Sequence, residues 1–124
     1  MNAGSSSLKF ALYDADDLGV LTRAAIDCGA AGSGLRSLAG PMSDVFRNRP
    51  LPADDDIDAR VAWIVDVVRH DLPVDLVGAG HRIVHGGVAY AEPVRFTEEI
   101  GRALAKLSPL APAHQPHNLA GAAA

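Results

Sequence analysis

Asn2-Ala3-Gly4-Ser5-Ser6-Ser7-Leu8-Lys9-Phe10, with Ala11-Leu12-Tyr13 behind it, sets an amide, three hydroxyls, a glycine and a lysine at the mouth of an alternating run. Leu8, Phe10 and Leu12 fall on one face by period two, so residues 8–13 predict a half-buried strand. Asp14-Ala15-Asp16-Asp17-Leu18-Gly19 predicts a turn. Residues 20–28 predict a second strand, with Thr22, Ala24, Ile26 and Cys28 on one face. Two strands with so short a link read as an antiparallel hairpin.

The turn itself has a chemistry. Gly4 lets backbone approach a ligand closely. Ser5, Ser6 and Ser7 supply hydroxyls and successive N–H groups that form an anion nest. Lys9 adds a point charge for a phosphate, and the Asn2 amide oxygen is a hard ligand of the kind magnesium or its waters take. A Ser/Gly turn also serves as an ordinary hairpin loop. The stretch is neither a Walker A loop nor a nucleophile elbow, because it lacks the Gly-Lys-Ser/Thr ending and the Gly-x-Ser-x-Gly spacing.

Further along, residues 29–52 carry glycines and prolines and little pattern. They predict a loop with one short strand at most, and make Arg36, Arg47 and Arg49 solvated charges. Asp54-Asp55-Asp56 then opens a helix whose apolar face is Ile57, Val61, Ile64, Val65, Val68 and Leu72. The aspartates suit its N-terminal dipole and cap, and Pro73 stops it. Residues 74–79 are short and apolar and predict a buried strand after a helix, the logic of an α/β sheet. Residues 98–107 predict a helix capped by Thr97, with Ile100, Ala103, Leu104 and Leu107 inward. Asn118 onward reads as the opening of another helix.

Two later stretches carry chemistry. In Gly80-His81-Arg82-Ile83-Val84-His85-Gly86-Gly87, four residues of extended chain span about 13 Å, too far for His81 and His85 to share one ion. Arg82 lies where open α/β sheets place ligands. It pairs a carboxylate or phosphate in two-point fashion, or pins a loop through carbonyls. In Leu110-Ala111-Pro112-Ala113-His114-Gln115-Pro116-His117-Asn118, His114 is placed to donate to a phosphoryl oxygen or simply to sit hydrogen-bonded in a proline-rich loop, and Asn118 to cap the next helix.

The 124 residues amount to one domain or less. Apolar residues make up 48% of them and aromatics only 5%, which predicts a core of small and branched aliphatics. A net charge of −4 argues against nucleic acid, whose affinity comes from clustered Lys and Arg. No apolar run approaches the roughly 20 residues of a membrane span, and no leader is visible, so the expected location is the cytoplasm. Cys28 is the single cysteine, so no internal disulfide forms, and it reads as a small core residue.

In this order and form, the three stretches 2–10, 80–87 and 110–118 resemble the acetate kinase family. The resemblance runs from end to end of the chain but covers only the N-terminal part of a family member. It implies a partial ribonuclease-H-like, actin/sugar-kinase-type α/β domain with a mixed sheet and flanking helices, its first strand largely missing because Met1 stands where several apolar residues are expected. Residues 1–124 would then be a truncated N-terminal kinase domain, the second, nucleotide-binding domain lying outside the chain. It implies reversible transfer of the ATP γ-phosphoryl group to acetate or another short-chain carboxylate, giving acetyl phosphate and ADP, with Mg2+, in a homodimeric full-length enzyme. By motif match Asn2 lies at the magnesium, Ser5, Ser7 and Lys9 support the nucleotide phosphates, Arg82 binds the substrate carboxylate, Val84 lines its methyl pocket, and His114 sits near the transferred phosphoryl. Ala113 stands where leucine is usual, which implies a wider acyl pocket and leaves propionate or butyrate as alternative substrates; Gln115 and His117 also depart from the commonest form. The catalytic aspartate of the family falls beyond residue 124, so the chain alone is expected to be inactive, and a non-catalytic phosphate- or carboxylate-binding fragment is the reading of a different class.

Overall fold

The hairpin read from the sequence is the centre of the fold. A computed structural model describes residues 1–4, 6–28, 34–53 and 56–123 of the chain. Strands β1 (Asn2–Ala3), β2 (Ser7–Tyr13), β3 (Val20–Asp27) and β4 (Gly34–Ala39) form one sheet in the order β1-β2-β3-β4, every neighbour antiparallel. The pairings Phe10↔Ala24 and Leu8↔Ile26 put the apolar alternation of β2 and β3 on one face, as their period requires. Leu8, Phe10, Thr22, Ala24 and Ile26 are buried there, and Cys28 packs half-buried at the margin of the same core.

Helix α2 (Ile57–His70) covers this face. Asp56 caps it by accepting the Ala59 amide at 2.6 Å, and Asp71 and Pro73 follow its end. Ile57, Val61, Ile64, Val68 and Leu72 are buried as their spacing predicts, and Trp63 and Val67 join them. Asp54 and Asp55 lie outside the described residues. Between sheet and helix, Phe46 packs on Phe10 with the rings tilted by 51° and centroids 5.1 Å apart, and meets Trp63 edge-on at 5.8 Å.

Phe46 belongs to helix α1 (Ser43–Asn48), which with β4 fills much of what the sequence read as loop; residues 29–33 lie outside the described part. Arg36 and Arg47 are exposed to solvent as expected, but they stand on β4 and α1 rather than in a loop, and each of the three arginines has an acidic partner. Arg36 stands on β4, 3.4 Å from the Asp27 carboxylate. Arg47 pairs with Asp44 one helical turn away. Arg49 donates to Asp66 and, at 2.5 Å, to Asp71, tying the end of α1 to the last turn of α2.

Helices α3 (Glu98–Ala105) and α4 (Gln115–Ala123), joined through a short 3-10 turn at Ser108–Leu110, complete the fold. Thr97 caps α3 as its sequence predicts, accepting the Ile100 amide at 3.2 Å. Leu104 is buried, while Ile100, Ala103 and Leu107 are half-buried. Helix α4 packs on α2, α3 and β1.

Two expectations are corrected. Residues 74–79 are not a buried strand: they have no strand assignment, and Val77 is 82% exposed. The sheet among the described residues is therefore antiparallel, not mixed. The reason is the edge offered to them. Strand β1 covers Asn2–Ala3 alone, and the backbone bonds that tie this segment to the start of the sheet lie at Gly80 and Arg82. There the Met1 amine donates to the Gly80 carbonyl at 2.5 Å and the Arg82 amide donates to the Met1 carbonyl at 3.0 Å. Those two bonds, straddling His81, are the pattern of one step of a parallel ladder.

Candidate functional site

The Gly4 amide donates to the Ser7 carbonyl at 2.8 Å and closes the turn that joins β1 to β2; the Cys28 amide holds the Ser6 carbonyl at 2.9 Å, anchoring the turn to the end of β3. Ser6 is exposed and Ser7 half-buried, so both hydroxyl-bearing residues keep access to solvent; Ser5 lies outside the described residues. Past the turn, Asn2 pairs with Lys9, Lys9 with Ala25, and Ala25 with Ser37. Pleating puts these four in one row on the face opposite the core.

The Met1–Gly80 and Met1–Arg82 bonds extend that row. With Met1 level with His81, Asn2 is level with Arg82. The burial pattern follows the same alternation: His81 and Ile83 are half-buried, Arg82 and Val84 exposed. Arg82, Asn2 and Lys9 thus occupy neighbouring positions on one face. A groove of about 540 Å3 on that side is lined by Asn2 and Lys9 together with Arg23, Arg36 and Ser37, and Arg82 is not among its lining residues. Two of its cations, Arg23 and Arg36, were not singled out from the sequence as ligand groups; only the register of β3 and β4 brings them beside Lys9.

One residue locks the 80–85 segment to the sheet. Asn118, 2% exposed, accepts the Val84 amide on Oδ1 at 2.8 Å and donates through Nδ2 to the Ala3 carbonyl. It lies inside α4, whose first residue is Gln115, so it is a cross-link between segments and not a helix cap. Gln115, fully buried, works beside it: its Nε2 donates to the carbonyls of His85 at 2.9 Å and Leu104 at 3.2 Å. Gly121 permits the close approach of α4, since a Cβ there would lie 2.9 Å from His81 Cε1.

His81 is packed under this junction with neither ring nitrogen hydrogen-bonded among the described residues. Burial lowers its pKa from 6.5, the nearby Met1 ammonium lowers it further, and the Asn118 backbone works weakly the other way. Burial also lowers the Met1 amine from 8.0. His85 instead accepts the Gly87 amide on Nδ1 at 3.0 Å. No group of three or more His, Cys, Asp or Glu side chains among the described residues is arranged to hold a metal. His114 is exposed just before α4, its carbonyl accepting the Asn118 amide at 3.0 Å, and among the described residues no hydrogen bond or ion pair links its ring to Arg82, Asn2 or Lys9.

The chain matches the acetokinase family over residues 1–124. It belongs to that family. The acetate kinase of Arthrobacter sp. (strain FB24) is 37% identical over 124 residues, covering 98% of this chain and 29% of the relative. The acetate kinase of Thermotoga maritima is 35% identical over 127 residues, covering 98% of this chain and 31% of the relative. The crystal structure of Porphyromonas gingivalis acetate kinase superposes with a TM-score of 0.77 at 29% identity, over 98% of this chain and 32% of that one. This acetokinase chain therefore spans about 30% of the length of the relatives it matches, and its α/β architecture is the actin-type fold of that neighbour. Among the described residues no helix is long and apolar enough to cross a membrane.

Proposed function

We propose that this acetokinase chain is the carboxylate- and phosphate-gripping portion of a cytoplasmic, homodimeric acetate kinase that passes the γ-phosphoryl group of ATP to acetate. The observation that supports this most is the alignment of Arg82 with Asn2 and Lys9 through the Met1 backbone. A carboxylate is already a competent nucleophile at neutral pH, because its pKa lies near 4. What the reaction demands is that two anions be brought together and that the spreading charge be neutralised. In this reading Arg82 takes the carboxylate in two-point fashion, Val84 borders its methyl group, and Lys9 with the Ser5–Ser7 backbone and hydroxyls takes the phosphates. His114 approaches the transferred phosphoryl only when substrates or the rest of the enzyme bring the pieces together.

Magnesium suits the donors present. Asn2 supplies one hard oxygen, and magnesium commonly keeps its waters and takes its remaining ligands from substrate phosphates. When bound it neutralises phosphate charge.

The exposed Ala113, where leucine is usual, favours a second reading within the same chemistry, a propionate or butyrate kinase. The test supplies this chain together with the C-terminal part of an acetate kinase and follows ADP release with acetate, propionate and butyrate. The reading expects no turnover from the 124-residue chain alone, turnover on reconstitution, and a loss of at least a hundredfold in kcat/KM for Arg82→Ala. Reconstituted activity indifferent to Arg82→Ala contradicts it.

A further inference from the structure

The outer face of the sheet gathers three cations in one groove. Lys9 on β2, Arg23 on β3 and Arg36 on β4 are exposed and line the groove of about 540 Å3, and none of its described lining residues is acidic. Neither Lys9 nor Arg23 has an ion pair or a side-chain hydrogen bond among the described residues. Arg36 meets Asp27 at 3.4 Å, a contact that uses one end of a fork with five donors. Opposite charges set across neighbouring strands stabilise an exposed sheet face. Here alanine stands across from the cations instead: Lys9 pairs with Ala25, and Arg23 with Ala11 and Ala39. The chain carries a net charge of −4, so acidic residues were not scarce.

A β-bulge completes the arrangement. Ile26 pairs with Leu35 while Ala25 pairs with Ser37, so Arg36 is the extra residue of β4. Regular alternation would turn either Arg36 or Ser37 inward. The bulge keeps Leu35 and Leu38 both against the core and sets Arg36 and Ser37 side by side in the groove. Lys9 and Ser37 flank Ala25 from either side, and Arg23 stands diagonal to both.

We propose that this groove binds a diphosphate group, through Arg23, Arg36 and Ser37 with Lys9 at its margin. Like charges drawn together without an acid between them repel one another until an anion neutralises them. The width of the cluster selects the anion. Two interstrand steps, roughly 10 Å, separate the backbones of Lys9 and Ser37. A single phosphate held by Arg36 and Ser37 leaves the diagonal pair of Lys9 and Arg23 uncompensated, whereas two linked phosphates serve both ends. The arginine forks take phosphate oxygens in two-point fashion, Lys9 adds a point charge and Ser37 a hydroxyl donor. These donors rise from three strands, so they reach a tetrahedral group from several sides, which a planar carboxylate does not offer. Arg82 does not line the groove, so this ligand stands apart from the carboxylate assigned to Arg82. Binding here needs no phosphoryl transfer, and its test reads none.

The isotope-labelled 124-residue chain is titrated with inorganic diphosphate at low salt and followed by calorimetry and NMR. The proposal expects one-to-one binding, signals of Arg23, Ala25, Arg36 and Ser37 that move with one midpoint, and affinity that falls as salt screens the exposed charges. Losing one charge-assisted contact weakens binding roughly tenfold, so Arg23→Gln and Arg36→Gln are each expected to do so, and inorganic phosphate and malonate to bind the parent chain at least as much more weakly. Both variants change exposed positions, and an unaltered urea midpoint confirms that they fold. ADP carries the same group and separates its sources: ADP binding as tightly as diphosphate, with the same dependence on Arg23, marks a nucleotide tail as the ligand, and weaker ADP binding marks the free anion. Either variant binding diphosphate like the parent, phosphate or malonate matching it, or no saturation at millimolar concentration each overturns the proposal.

Discussion

The Val84 amide donates to the side-chain oxygen of Asn118 at 2.8 Å, across 34 residues of chain. Through its other end the same amide group reaches the Ala3 carbonyl. A helix-borne side chain thus fastens the arginine-bearing segment 80–85 to the strand that carries Asn2, and the site depends on that fastening.

Removing the cross-link is costly because it strands the buried Ala3 carbonyl and the part-buried Val84 amide. Each buried unsatisfied group costs about 1–3 kcal/mol, so Asn118→Ala is expected to lower stability by about 2–4 kcal/mol. Urea unfolding measures the loss. Amide exchange at Val84 should accelerate more than at Leu8, which is held in the sheet.

The pH dependence has a definite sign. In the fold both the Met1 amine and His81 hold their protons less tightly than in the unfolded chain. As pH falls below 8.0 for Met1 and below 6.5 for His81, the unfolded state takes up protons first, and stability falls until the folded groups protonate too. Stability from these groups is thus fully present above 8.0 and is lost on acidification. Urea midpoints followed downward through this range should decline in two steps, and His81→Gln should retain only the upper one.

Much of the architecture was legible because it is written locally. The hairpin announces itself by period two, and α2 by its apolar face, its Asp56 cap and Pro73. What escaped depends on partners far along the chain. Helix α1 is six residues long between Pro41 and Pro50, too short for periodicity to register, and it exists because Phe46 has Phe10 and Trp63 to pack on. Residues 74–79 have a strand's composition but meet a β1 of only two residues. Asn118 has a cap's chemistry, yet its partner Ala3 is 115 residues away. Of the site, the residue types at 2, 9 and 82 were readable, whereas Arg23 and Arg36 enter only through cross-strand register.

The aromatic trio carries a large share of the packing. Phe46 is 1% exposed and touches both Phe10 and Trp63. Phe46→Ala should cost about 3–5 kcal/mol, the range for emptying an aromatic site in a core. Phe46→Leu should recover most of it, as read by thermal unfolding.

At α4 the constraint is opposite, a lack of room. Gly121→Ala places a methyl 2.9 Å from the His81 ring. The helix must shift or His81 must turn, at about 1–3 kcal/mol. Because His81 precedes Arg82, the same variant should broaden the amide resonances of residues 80–85 in an NMR spectrum.

The central claim is that Asn2, Lys9 and Arg82 address one anionic ligand, and titrating the isotope-labelled chain with acetyl phosphate tests it most directly. The account predicts that the signals of Asn2, Lys9 and Arg82 shift together with a single midpoint, and that Arg82→Ala weakens the response at all three. Separate midpoints for the three residues, or an Asn2 and Lys9 response that Arg82→Ala leaves untouched, would contradict it.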